Sequence, residues 1–280
     1  MTSQFPPSSY DAGLFGPDSV SWQVNKETAV LFGGARALLM QAVHPLVLAG
    51  ARQTGFYERN PWKRLDRTLR LTYTMTFGTT EEALQAVQRI NRVHEDIHGI
   101  DQVTGLGYDA LDPDLLLWVH ACLVDSQILF ERLTVGKLDD DGRERYHQEQ
   151  MQGAELLGLP RDRIPPTVPA LSAYIEGITK SGILGVSSDT MKVANLIRRP
   201  PRDVPWRPVL RMISRWAFAT LPRPIRKMYG VRLGTLGRVQ LRGSIGSLRM
   251  IRPFLPSQIR EVLPARHAAR RVRGGPAVSA

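Results

Sequence analysis

The chain has 280 residues, 42% of them hydrophobic, which is enough to bury a sizeable core and excludes a wholly disordered polypeptide. A single cysteine, Cys122, excludes a disulfide framework, Cys-based zinc fingers and iron–sulfur centres. The formal net charge of +11 is unevenly placed. Residues 1–197 hold 18 Lys/Arg against 24 Asp/Glu, a net of −6, whereas residues 198–280 hold 19 against 2, a net of +17. The basic excess therefore belongs to the last third and needs its own explanation.

The first twenty residues carry neither a basic n-region nor an apolar h-region, so no secretory signal is expected. The most apolar long stretch, Ala37 to Ala51, is broken by Gln41, His44 and Pro45. It falls short of the roughly 20 apolar residues of a spanning helix. The expectation is a cytoplasmic protein without a transmembrane segment, with room for peripheral membrane contact.

Helical periodicity dominates. Glu27 to Arg52 reads as a buried helix bent at Pro45. Asn60 and Pro61 open a second helix, running to about Phe77 and ending at Gly78. Thr79 and Glu82 have capping-box spacing and open a third, from about Thr80 to His98 before Gly99. Asp112 and Pro113 repeat the cap-plus-proline signal ahead of a long apolar helix. Further helices are predicted at about Gly142–Leu157, Thr167–Thr179, Asp189–Arg198, Arg207–Leu221, Thr235–Ile251 and Ser257–Arg271. Asp139-Asp140-Asp141 reads as a solvated loop. Convincing alternating strands, internal repeats, phosphate loops and nucleophile elbows are absent from the sequence. The predicted fold is all-α: a single domain of packed helices over 26–272, with an N-terminal arm over 1–25 and a tail over 273–280.

The chemistry-bearing candidates are His44, His94 and His120, each inside a strongly apolar helical segment. At about 100° per residue, Ala83, Val87, Ile90, Val93 and Ile97 share a stripe, with His94 near its middle and His98 on its edge. An imidazole in the core must satisfy two nitrogens, and a metal satisfies one of them. A histidine bonded to a backbone carbonyl or a carboxylate is the simpler alternative. His94 and His98 also match an H-E-x-x-H zinc helix, but Gly99 follows directly and no third ligand has zincin spacing. Arg64 and Thr68 are four apart and share a face with Leu71 and Met75. An arginine there seeks an anionic partner, a carboxylate or a cofactor acid group, unless it is an ordinary surface arginine. Cys122, mid-helix in apolar company, reads as a structural thiol.

These pieces occur in an order that resembles the MpaB-type oxygenase family, which includes the catalytic domain of bacterial rubber oxygenase, the latex clearing protein. The resemblance rests on Arg36, Leu38, Leu39, Gln41, His44 and Pro45, on the run Arg64 to Thr68, and on the turn Phe77 to Thr79. It continues through His94 and Gly99, Leu116 to Ala121, and Asp125-Ser126, covering about residues 30–200. What it implies is a helical fold enclosing a haem b pocket, with His94 as the iron ligand and His98 as the alternative. It also implies Arg64 and Thr68 beside the cofactor as the catalytic pair, with His44 and His120 lining or supporting the pocket. In rubber oxygenases a lysine in the arginine run can reach the iron. Arg67 stands there in this chain and stays protonated, so closure by that route is not expected and polyisoprene is a weakened candidate substrate. The implied function is a haem b-dependent oxygenase acting with O2 on an apolar, isoprenoid-like substrate.

Two other classes compete. The helical body could be a non-catalytic haem or lipid carrier. The basic portion, 198–272, mixes arginines with Trp206, Trp216, Phe218, Tyr229 and Phe254. Packing on the body is its simplest role, contact with an anionic membrane the next, and nucleic-acid binding is disfavoured because no recognition motif is present.

Overall fold

A computed structural model describes residues 11–55, 61–200 and 205–273, with residues 61–65 described by their backbone alone. The elements in chain order are α1 (Val20–Asn25), α2 (Thr28–Leu31), α3 (Gly33–Ala42), α4 (Pro45–Gln53), α5 (Pro61–Phe77) and α6 (Thr80–Glu95). A hairpin follows, β1 (His98–Ile100) antiparallel to β2 (Gly107–Asp109). Then come α7 (Pro113–Phe130), α8 (Asp140–Leu156), α9 (Val168–Lys180), α10 (Ser188–Arg198) and α11 (Arg207–Thr220). The last third closes with α12 (Arg223–Met228), α13 (Thr235–Ile251), α14 (Ser257–Arg260) and α15 (Leu263–Arg273). Among the described residues the fold is all-α apart from that one small hairpin.

Local chemistry explains most helix starts. Thr79 Oγ1 accepts the Glu82 N–H at 3.1 Å while Glu82 accepts the Thr79 N–H at 2.9 Å, a reciprocal capping box. Asp112 caps α7 through the Asp114 N–H at 2.8 Å, with Pro113 at the first helical position. Asp139 caps α8 through the Gly142 N–H at 2.7 Å. The acidic triplet is thus a helix start and not a free loop: Asp140 and Asp141 occupy the first turn, where carboxylates favour the helix dipole. The bend expected at Pro45 is a full break. His44 is extended and caps α4, and the two helical segments on either side meet at 106°.

At the centre, α7 lies against α3, α2, α8 and α9, and α11 closes over α3. Trp118, Ala121 and Cys122 of α7 are buried against Leu39, Met40 and Val43. Burying a large apolar side chain contributes about 1.5–3 kcal/mol, so this layer dominates stability. The helical stretch Pro113–Val135 is long and apolar enough by composition to cross a membrane, and half of it is inside the body. Its last turn, Glu131–Val135, is π-helical and stops at Gly136, which adopts the left-handed conformation (φ +64°).

Three differences from the sequence expectation have tertiary causes. Residues 20–25, assigned to the N-terminal arm, form α1, which packs on α8 with Trp22 and Val24 buried. The Glu149 carboxylate also accepts the Val20 and Ser21 N–H groups at 3.1 and 2.6 Å. The third predicted helix ends at Glu95, because the Ile97 carbonyl accepts the Ala110 N–H at 2.8 Å and the chain enters β1. The final helix is split, because the Val262 N–H donates to the Lys26 carbonyl at 2.8 Å and Glu261 bridges Glu27.

The basic third packs on the body. Trp216 and Ile225 are buried, and Trp216 Nε1 donates to Ser244 Oγ at 2.9 Å. Tyr229 donates its hydroxyl proton to the Leu39 carbonyl at 2.8 Å. Arg252, itself buried, forms a two-pronged ion pair with buried Glu27, its Nε lying 3.0 Å from Glu27 Oε2.

Candidate functional site

The α5–α6 hairpin carries the predicted iron ligand. The two helices pack through Leu71 and Met75 on one side and Ala86, Val87 and Ile90 on the other. Gly78 makes the turn between them, where an added Cβ would lie 2.5 Å from the Thr74 carbonyl oxygen. The helices are 17 and 16 residues long, so the first turn of α5 returns level with the last turn of α6. The side chain of Arg64 lies outside the described residues.

His94 is half-buried rather than fully enclosed. Its Nδ1 is sealed from solvent and has no hydrogen-bond partner. Burial lowers its pKa below the ordinary imidazole value, so the ring is neutral near pH 7 and keeps a lone pair for a metal or a proton. One turn earlier, Asn91 donates to the Leu156 carbonyl at 3.1 Å while its Oδ1 is sealed and unpaired. Two adjacent turns of α6 therefore carry polar atoms that no described residue satisfies, which calls for an explanation. Thr68 and Arg67 are exposed on α5. His98 is exposed in β1, opposite Asp109, and shares no helix face with His94.

A second group forms where α7 meets the α3–α4 corner and α8. The His44 ring is buried, its Nδ1 accepts the Val47 N–H at 3.5 Å, and it lies 6.3 Å from the Trp118 ring. Desolvation lowers its pKa. His120 lies 6.5 Å, ring to ring, from His147. Burial, with some repulsion from His147, pushes the His120 pKa down to about 4, so it is neutral at any physiological pH. His147 bonds the Pro165 carbonyl oxygen through Nε2 at 2.7 Å. Its Nδ1, together with His120 Nε2 and Trp118 Nε1, is sealed and unpaired. His147 drew no attention in the sequence because its own helix is polar. Only the packing of α8 on α7 sets it beside His120.

The described ring contacts join His44 to Trp118 and His120 to His147, leaving His94 on its own hairpin. Among the described residues, no three His, Cys, Asp or Glu side chains gather as a metal site, so the H-E-x-x-H pair acquires no third protein ligand there.

Several motif residues turn out to hold the scaffold. Arg36 is buried and its Nη1 lies 2.7 Å from both Asp125 Oδ2 and Ser126 Oγ. Its Nε donates to the Thr220 carbonyl at 3.1 Å, so one side chain links α3, α7 and α11. Gln41 Nε2 adds a bond to the Val119 carbonyl at 3.3 Å. Arg52 likewise joins Asp101 at 3.1 Å and Asp189 at 3.2 Å, tying α4 to the hairpin and to α10.

The catalytic-domain family described as ER-bound oxygenase mpaB/B'/rubber oxygenase matches residues 22–250, most of the described fold. The chain belongs to this family. The match takes in most of α1 and most of the basic third. Uncharacterised proteins of Mycobacterium bovis and Mycobacterium tuberculosis are each 25% identical to it over 184 residues, 66% of this chain. The match spans 64% of the length of each relative. No solved structure matches the chain.

Proposed function

We propose that this chain is a haem b-dependent oxygenase acting with O2 on an apolar, isoprenoid-like substrate. Membership of the oxygenase family supports the reaction class. The observation that carries the cofactor assignment is the neutral His94 imidazole, whose buried Nδ1 has no partner among the described residues. A histidine in that state fits an iron porphyrin, which brings its own chelate and needs only one protein ligand.

When bound, haem b would supply the dioxygen chemistry. His94 would hold the iron, with His98 the alternative ligand. Arg64 would pair with a propionate or an anionic oxygen, and Thr68, one turn along α5, would donate a hydrogen bond. His44 and His120 are neutral under ordinary conditions and would support the pocket without adding charge, which suits an apolar substrate. Arg67 remains a cation and gives the iron no competing ligand. Residues 198–272 would form the membrane-facing part.

The test is reconstitution with haemin, followed by spectra in the oxidised, reduced and carbon-monoxide-bound states and by oxygen uptake with unsaturated isoprenoids. A Soret band that is lost in His94→Ala and kept in His98→Ala is expected, together with substrate-dependent oxygen uptake. An unchanged band in His94→Ala overturns the ligand assignment. A band without oxygen uptake identifies the non-catalytic carrier instead.

A further inference from the structure

The basic third contains a groove of about 1040 Å³ between α11, the end of α12 and the first half of α13. Five arginines line it: Arg207, Arg211 and Arg215 from α11, Arg198 from the end of α10, and Arg232 from the loop after α12. The first three are four residues apart and form one stripe along the helix. Among the described residues, no carboxylate lines the groove and none of the five arginines takes part in an ion pair. Of the two acidic residues in this third, Glu261 faces Arg260, and Asp203 lies outside the described residues. Arg207 Nε is sealed and unpaired, and the Arg198 guanidinium stands 4.6 Å over the Phe218 ring. Trp216 and Leu241 contribute an apolar floor.

Two exposed apolar residues directly precede groove-lining ones in the chain. Trp206, directly before Arg207, is 70% exposed, and Leu236, directly before the lining residue Gly237, is 71% exposed. Five guanidinium groups with no described carboxylate beside them repel one another, and an anion entering the groove relieves that repulsion. Exposed tryptophan and aliphatic side chains beside arginines are the composition of a surface that lies at a lipid headgroup boundary.

We propose that this groove binds the phosphate headgroup of an anionic phospholipid, with the neighbouring exposed Trp206 and Leu236 entering the adjacent acyl region. The proposal rests on the membrane-facing reading of residues 198–272 and names the element responsible. Guanidinium forks match phosphate oxygens in pairs, which an aligned arginine stripe offers and a scattered positive surface does not.

The experiment is flotation of the full chain with phosphatidylcholine vesicles, with and without phosphatidylglycerol, at low and high salt. Three proteins are compared: the wild type, the groove triple Arg207→Gln/Arg211→Gln/Arg215→Gln, and the charge-matched triple Arg223→Gln/Arg238→Gln/Arg242→Gln outside the groove. The groove triple should lose on the order of a hundredfold in affinity for the anionic vesicles, each arginine near such a surface counting for roughly fivefold. The matched triple should change far less. Trp206→Phe should remove the blue shift in tryptophan fluorescence that vesicles induce. Equal losses in both triples overturn the groove while leaving a diffuse basic surface. No preference of the wild type for anionic vesicles overturns the membrane reading itself. Inorganic phosphate and glycerol phosphate, tested as competitors, should displace the protein weakly. Tight binding of either in the groove without vesicle binding identifies a soluble phosphate site and overturns the lipid. Unchanged melting temperatures verify that the variants are folded.

Discussion

Replacing Glu27 by glutamine removes one negative charge and leaves the shape of the side chain intact. Glu27 and Arg252 are both buried, and the guanidinium meets the carboxylate through two nitrogens, one of them 3.0 Å from Glu27 Oε2. The variant leaves a buried cation without a counter-charge, which costs about 3–5 kcal/mol. At about 2–4 °C per kcal/mol for a chain of this size, the melting temperature should fall by about 6–20 °C. The pair joins residues 225 positions apart, and the neighbouring Val262–Lys26 backbone bond depends on the same docking, so the whole end of the chain should loosen. Hydrogen exchange should therefore accelerate in α15 as well as around α2. The decisive assay is a double-mutant cycle by chemical denaturation. Glu27→Gln/Arg252→Met removes both charges and should be less destabilised than the sum of the singles by 1 kcal/mol or more in order of magnitude, about the range seen for groups in contact. If the two losses simply add, the ion pair is not what holds the C-terminal segment, and the reasoning fails.

Three further outcomes follow from the core. Because the His120 pKa lies near 4 in the folded chain against 6.5 when unfolded, the unfolded state binds more protons as pH falls through that window. Its contribution is complete above pH 6.5 and lost towards pH 4, up to about 3 kcal/mol; His120→Phe should flatten the stability profile there, and an unchanged slope would contradict it. Arg36→Met should cost about 3 kcal/mol by stranding Asp125, whereas Ser126→Ala, which leaves that pair intact, should cost about 1 kcal/mol; denaturant midpoints in the reverse order would overturn the staple. Burial holds the Cys122 thiol well above its ordinary pKa. It should stay silent to a thiol reagent until guanidinium unfolds the chain, and rapid labelling of the native protein would show an access path to α7.

What could be read from the sequence was the part of the fold written in neighbouring residues. The Thr79–Glu82 box, the Asp112-Pro113 start and the break at Pro45 act over three or four positions, and the helices stand where those signals put them. The ordered family motifs were legible for the same reason, and with them His94 on its helix. Chain direction alone could not place the end of α6: His98 leaves the helix because residues 98–100 pair with 107–109, a contact made across a turn. Nor could it show that Arg36 would spend itself on Asp125, Ser126 and Thr220, up to 184 positions away, or that His147 would stand beside His120. The net charge of +17 in the last third announced a basic region. Tertiary structure divided its arginines, burying Arg252 against Glu27 and gathering five others around one groove. Sequence sets the local backbone preference of each segment, but burial and long-range partners exist only once the segments meet.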